Sequence, residues 1–395
     1  MDVSGTERER FSIDGVLKEA VERGASDVHL KHGQPPLIRF DGRIDALEGH
    51  PALGSDDLEE ALKKVTALAP SRLRGFEETG ELDLAYQTID LPRIRVNAFR
   101  QRGDISFACR IIPRKVPDFE SLALPPGVEK LATEERGLIL VTGATGAGKT
   151  TTLASIVGYI NRTRRQHIVT IEDPIEIIHD DVNCIINQRE VGIDTDSFHE
   201  ALRRALRQDP DVILIGELRD AATAETALQA AESGHLVLST MHTVDAAETI
   251  GRLVEFFPAA KQPQVRSILA GVLKGVISQR LLPRVGNGRV AAVEVMVANN
   301  RIQELIRENK PEMVPEAIAE GSFFQMQTLT TALIALVLNG DVSEEVAAGA
   351  APNRHDFQIE LRRALQEQAV SAKAAESEDV DPLITPIAAD GLRFA

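Results

Sequence analysis

Tryptophan is absent from this sequence, tyrosine occurs twice, and aromatic residues together make up 4% of the 395 positions. That scarcity removes the stacking platforms, interleaved with cations, on which single-stranded nucleic acid is held. Positive charge is also short, with 44 lysines and arginines against 60 acidic residues and a formal net charge of -16, so no surface-wide field attracts DNA or RNA. A local basic channel is still compatible with that balance. Cysteine stands only at 109 and 184, each inside an apolar, strand-like run, which suits two buried thiols in a reducing cytoplasm and excludes a four-cysteine zinc element. No window approaches 18 uninterrupted apolar residues, and Met1 to Arg10 is charged without an apolar stretch, so no membrane span of its own is expected.

What is present is 43% hydrophobic and 26% charged, ordinary globular material with room for two or three domains. The stretch that organises it is Leu138-Ile-Leu-Val-Thr-Gly143-Ala144-Thr145-Gly146-Ala147-Gly148-Lys149-Thr150-Thr151. An apolar run breaks into a glycine-rich turn, and the turn opens into a helix-compatible segment. This is a P-loop in the setting it requires: glycines at 143, 146 and 148 let successive N–H groups face one cavity, and the helix adds its positive end. Lys149 is placed to reach the β- and γ-phosphates of ATP, and the Thr150 hydroxyl to take one position on Mg2+.

The chain before and after this stretch divides by pattern. Residues 1–10 are expected to be flexible. Over 11–112 a helix to Gly24, a strand from Ser26, a hairpin at Asp41-Gly42, a helix ended by Pro70 and three alternating strands build an α+β domain on an antiparallel sheet. Its last strands carry Arg93, Arg95, Arg100, Arg102 and Arg110, which on pattern alone make a solvated strand face. Prolines 113, 117, 125 and 126 mark a linker over 113–126. From 127 to 350 apolar runs alternate with helical segments, the pattern of a mostly parallel α/β sheet wrapped by helices, with a helix expected over 264–281. An amphipathic helix over 351–370 and an acidic, disordered tail over 371–395 complete the chain.

Several strand ends of the core finish in groups that suit a nucleotide. Glu172-Asp-Pro-Ile-Glu176 follows Ile168 to Ile171; Glu217 follows Val212 to Ile215, with Gly216 where a Walker B segment usually has Asp; and His242-Thr243 follows the strand that opens at His235. Carboxylates there can hold a metal and align a water, and a histidine can donate to a phosphate.

Together with Asn187-Gln-Arg-Glu-Val191, Leu206-Arg-Gln-Asp-Pro-Asp211, Glu232-Ser-Gly-His-Leu236, Gly275-Val-Ile-Ser-Gln-Arg280, Leu305-Ile-Arg-Glu308 and Met326-Gln-Thr328, these motifs resemble the type IV pilus retraction ATPases, the PilT branch of the secretion ATPase superfamily. The resemblance covers about 11 to 368. It implies a RecA-like core, a PAS-like N-terminal domain and a ring of six copies. By the same resemblance Glu176 positions the attacking water, Glu217 is the Walker B acid, His235 and His242 form a histidine box, and Arg95 and Arg110 reach a nucleotide across a subunit boundary. The implied partners are an inner-membrane platform protein and the pilus machinery, met at the cytoplasmic face of the membrane. Gln325 departs from the glycine usual before Met326, and the acidic tail lies outside the shared pattern.

Three other functions compete. An assembly ATPase of the same superfamily commonly carries the zinc element that two cysteines cannot build. A nucleic-acid translocase conflicts with the charge and the aromatic content. A nucleotide-gated accessory subunit that hydrolyses nothing would not need Lys149, Glu176 and Glu217 together.

Overall fold

Alternation of buried and exposed residues along the early strands, against unbroken burial along the later ones, separates this chain into two sheets. The computed structural model describes residues 11–40, 42–113 and 116–378. The N-terminus expected to be flexible, Asp41 of the expected turn, and 379–395 of the expected tail lie outside the described residues.

The first unit opens with α1 (Ile13–Glu22), capped by Ser12, whose hydroxyl accepts from the Gly15 amide at 3.3 Å. It continues through β1 (Asp27–Lys31), β2 (Leu37–Phe40), β3 (Arg43–Ala46), α2 (Ser55–Val65), α3 (Pro70–Thr79), β4 (Glu81–Thr88), β5 (Leu91–Gln101) and β6 (Asp104–Ile111). Its six strands pair antiparallel in the order β3-β2-β1-β6-β5-β4. Leu82, Leu84 and Tyr86 of β4 point into the same core as Val16 and Leu17 of α1. Helix α3 was not expected: Pro70, read as the stop of the preceding helix, occupies the first turn of the next, where a missing N–H costs nothing.

The second unit runs α4 (Pro126–Ala132), β7 (Gly137–Thr142), α5 (Lys149–Thr163), β8 (His167–Glu172), β9 (Ile185–Glu190), α6 (Phe198–Ala205), β10 (Val212–Ile215), α7 (Ala221–Glu232), β11 (Leu236–Met241), α8 (Ala246–Glu255), α9 (Gln262–Val272), β12 (Leu273–Pro283) and β13 (Arg289–Val297). Helices α10 (Asn300–Arg307), α11 (Val314–Ala319), α12 (Leu329–Leu338), α13 (Glu344–Ala350) and α14 (Arg354–Glu378) follow. The sheet order is β13-β12-β7-β11-β10-β8-β9, parallel throughout except for β13 against β12. This is the α/β core expected from the alternating pattern. Every residue of β7, β10 and β11 is buried, because Leu138 and Leu140 pack under α6 to α11 while Ile139 and Val141 pack under α4 and α5.

Two expectations are corrected. The helix expected over 264–281 ends at Val272, and Leu273–Pro283 is a strand. Its backbone is hydrogen-bonded on both sides, to β7 and β13, and Gly275 sits where a Cβ would lie 2.5 Å from Leu131 and 2.7 Å from the Met296 carbonyl. Tertiary neighbours override a helix-compatible pattern there. The terminal helix reaches Glu378 instead of 370, since the alanines and the Lys and Glu residues of 371–378 are strong helix formers. Both cysteines are buried thiols, as expected. Among the described residues no helix is long and apolar enough to cross a membrane.

Candidate active site

Strand β7 ends at Thr142, and the loop that follows takes three glycines through positive φ: 141° at Gly143, 80° at Gly146 and 87° at Gly148. At Gly143 and Gly148 space as well as conformation asks for glycine. A Cβ at Gly143 would lie 2.4 Å from the Gln279 carbonyl, and one at Gly148 would lie 3.0 Å from the Gln279 amide nitrogen. Gln279 on β12 clamps the loop from behind, donating to the Ala147 carbonyl at 2.5 Å and accepting from the Thr152 hydroxyl at 2.9 Å. Lys149, the first residue of α5, is 8% exposed and donates to the carbonyls of Gly143 (2.9 Å) and Ala144 (3.1 Å). Burial lowers its pKa, opposed by the nearby charges of Glu217 and Glu176.

The neighbouring parallel strands deliver carboxylates to the same end. Glu172 ends β8 almost fully buried, where burial raises its pKa while the Thr170 hydroxyl (2.6 Å) and the Gln188 amide (3.1 Å) donate to it. Glu176, four residues on, is exposed to the cleft. After β10, Gly216 packs so tightly that a Cβ would be 3.3 Å from both the Ile171 carbonyl and the Phe198 ring. A side chain there would press on both neighbours, and the acid stands one residue later, at Glu217. The Glu217 carboxylate pairs with Arg219 and, at 3.2 Å, with His242 Nε2 beyond the end of β11.

These groups line one cleft of about 520 Å³, with Thr145, Gly146, Gly148, Lys149, Thr150 and Thr151 on one wall and Glu172, Glu176, Glu217 and His242 facing them. Gly143, Ala144 and Ala147 shape the loop from behind rather than lining the cleft. Among the described residues no group of three or more His, Cys, Asp or Glu forms a ready-made cation site. Thr150 and Glu217, the two residues expected to hold a cation, both line this cleft.

Three expected residues are elsewhere. His235 precedes β11 at the opposite end of the sheet, where its ring meets the Ala230 carbonyl at 3.0 Å and the Ser233 hydroxyl at 3.1 Å. The six residues of β11 separate it from His242, roughly 20 Å. Arg95 and Arg110 do not line the cleft of their own chain; they stand directly opposite each other on β5 and β6, near Asp83 (4.0 Å) and Asp27 (2.9 Å) respectively. Like charges directly opposite on adjacent strands are unfavourable unless an anion faces them. Of the arginines on these last strands Arg93 meets the core of its own chain, paired with Glu190 at 3.1 Å, and Glu190 also accepts from the Ile175 amide beside Glu176.

Gln279 and Arg219 were not singled out from sequence, and Glu172 was read only as one carboxylate of the Glu172 to Glu176 turn. Gln279 lay within the Gly275 to Arg280 motif but was read as helical, and Arg219, two residues past Glu217, had no assigned role.

Comparison with known proteins places these features in context. A family model described as "Type II/IV secretion system protein" matches residues 123–348. The chain is 45% identical over 352 residues to the type IV pilus retraction ATPase PilT of Pseudomonas aeruginosa, covering 88% of this chain and 100% of that protein. It is 43% identical over 320 residues to a twitching motility protein of Neisseria gonorrhoeae, covering 80% of this chain and 84% of that one. A crystal structure of the pilus retraction motor PilT with bound ADP superimposes with a TM-score of 0.81 at 46% identity, over 88% of this chain and 98% of that one.

Proposed function

The chain belongs to the type II/IV secretion system protein family, in its pilus-retraction branch, and from that premise we propose how its cleft works and what it drives. It is an ATPase that powers retraction of type IV pili. The observation that carries the mechanism is the convergence of Lys149, Glu176, Glu217 and His242 on one cleft at the carboxyl end of the parallel sheet.

Lys149 exchanges the Gly143 and Ala144 carbonyls for the β- and γ-phosphates of ATP, while the loop amides and the start of α5 hold the phosphate oxygens. Glu176 aligns the attacking water, and its exposure lets it approach the substrate from solvent. Glu217, held by Arg219 and His242, and the Thr150 hydroxyl hold Mg2+, which when bound neutralises charge between the phosphates. Arg95 and Arg110, adjacent on the exposed face of β5 and β6, complete the neighbouring copy's site, where a phosphate adds to the anions they already meet in Asp83 and Asp27. Six copies form the ring, and turnover moves the N-terminal unit against the core to remove pilin at an inner-membrane platform protein on the cytoplasmic side. With a net charge of -16, no surface-wide field draws nucleic acid to it.

The test is the count of surface pili, with surface motility, in cells whose only copy carries Lys149→Ala. Excess pili on immobile cells are expected. Bald cells would reassign the motor to assembly, and unchanged pili would overturn the pilus reading altogether.

A further inference from the structure

Three side chains of adjacent strands stand in register behind the cleft: Thr142 on β7, Ser278 on β12 and Glu294 on β13. They are 0%, 1% and 8% exposed. The Thr142 hydroxyl donates to Ser278 Oγ at 2.9 Å, and the Ser278 side chain lies against the carboxylate of Glu294, its direct cross-strand partner. That carboxylate accepts from the Ala246 amide, the first of α8, at 2.9 Å, and faces the Leu329 amide, the first of α12. No lysine or arginine among the described residues pairs with it.

The two ends of this row adjoin segments that wall the cleft. Thr142 immediately precedes Gly143, the first residue of the phosphate loop. Ala246 follows His242 by four residues, and the intervening segment is fastened by the Thr243 and Thr249 hydroxyls (2.6 Å) and by the Val244 amide on Glu248 (2.9 Å). A buried carboxylate without a cation is an expensive acceptor to place at two helix starts, since burial pushes its pKa up to about 7, against the pull of the Ala246 amide. A neutral serine or asparagine would cost less there, but it offers one oxygen to Ser278, Ala246 and Leu329 where the carboxylate offers two.

We propose that Glu294 is a positioning residue for ATP hydrolysis: through Ser278 and Thr142 it fixes the start of the phosphate loop, and through the Ala246 amide it fixes the His242 segment, holding the two walls of the cleft in register. The proposal rests on the ATPase reading of that cleft. Glu294 touches neither substrate nor metal, and it acts through the groups that do. A misplacement of about 1 Å between such walls costs on the order of a hundredfold in rate.

The experiment compares purified full-length parent, Glu294→Gln and Ser278→Ala for kcat, KM, binding of a non-hydrolysable ATP analogue and melting temperature. Glu294→Gln keeps the shape and loses one acceptor, and Ser278→Ala cuts the link to Thr142 while leaving the carboxylate in place. The expected result is a kcat lower by about tenfold to a hundredfold per folded molecule in both variants, with analogue binding and KM within about threefold. A kcat within twofold of the parent, counted per folded molecule, overturns the proposal whether or not melting temperature falls. If Glu294→Gln does not fold, Ser278→Ala decides alone by the same criterion. A parent that hydrolyses no ATP would instead overturn the ATPase reading.

Discussion

The two sheets of this chain use their side chains in opposite ways. In the antiparallel sheet one face packs on α1 to α3 and the other is left for polar groups, as the exposed and buried alternation of β4 shows. Its arginines therefore stand on a face, Arg95 opposite Arg110, spread along strands rather than gathered at a point. In the parallel sheet both faces of β7, β10 and β11 are consumed by the core. Chemistry there is confined to the strand ends, where Thr142, Glu172, Gly216 and His242 lie within one rim. A strand with two buried faces can act only at its tip, and a strand with one free face can act along its length. The first arrangement gives one chain a cleft of its own; the second gives it an exposed charged surface open to another molecule.

The sharpest way to break that contrast is at the tips. Lys149→Ala is expected to reduce ATP turnover by the purified protein to background. Glu176→Gln should lower kcat by about a hundredfold or more while leaving ATP binding within about threefold; turnover at the parent rate would remove Glu176 from its role. Arg95→Ala and Arg110→Ala test the free face: turnover of the assembled protein falls by about a hundredfold or more, while melting shifts by no more than exposed ion pairs are worth, about 1 kcal/mol or less. Parent-level turnover in both variants would make the N-terminal sheet a bystander.

The buried carboxylates of the two sheets should respond to pH with opposite sign. Glu294 is raised from the ordinary 4.5 to about 7 by burial, so it binds its proton more tightly folded than unfolded. Its contribution to stability is complete below about 4.5 and is lost as pH rises to about 7, roughly 3 kcal/mol in all. Asp27 on β1 is lowered despite its burial, because Arg110 and Ser26 hydrogen-bond its anion, and its contribution is lost as pH falls. Chemical denaturation across pH is expected to lose the first slope in Glu294→Gln and the second in Asp27→Asn. The smallest effect belongs to a helix end: Asp220 accepts from the Thr223 amide at 2.8 Å, and Asp220→Ala should cost about 1 kcal/mol of stability without changing turnover.

Much of the core was legible because it rests on local pattern. The glycine spacing of 143 to 148 marks a loop that only those residues can follow, and the apolar runs before Glu172, Glu217 and His242 are too uniform to be amphipathic helices. What could not be seen depends on neighbours distant in sequence. Leu273–Pro283 continues the spacing of α9, and only pairing with β7 and β13 makes it a strand. Gln279 and Ser278 owe their roles to that pairing, and so stayed hidden with it. Helix α3 buries Phe76 and little else, too weak a stripe to recognise, and its proline was read as an end rather than a beginning. His235 and His242 flank the same strand, and spacing says nothing about which end of it holds the cleft.

Gln279 and Arg280 are consecutive on β12, so their side chains leave opposite faces of the sheet. One donates to Ala147 in the phosphate loop and the other to the carbonyl of Ala350, at the end of α13. The far C-terminal helices are thereby one residue of shared backbone away from the nucleotide cradle. For anyone shortening or labelling this chain the consequence is asymmetric: additions beyond Glu378 leave that handhold in place, whereas a cut before Ala350 takes away the carbonyl on which Arg280 steadies the strand beneath the loop.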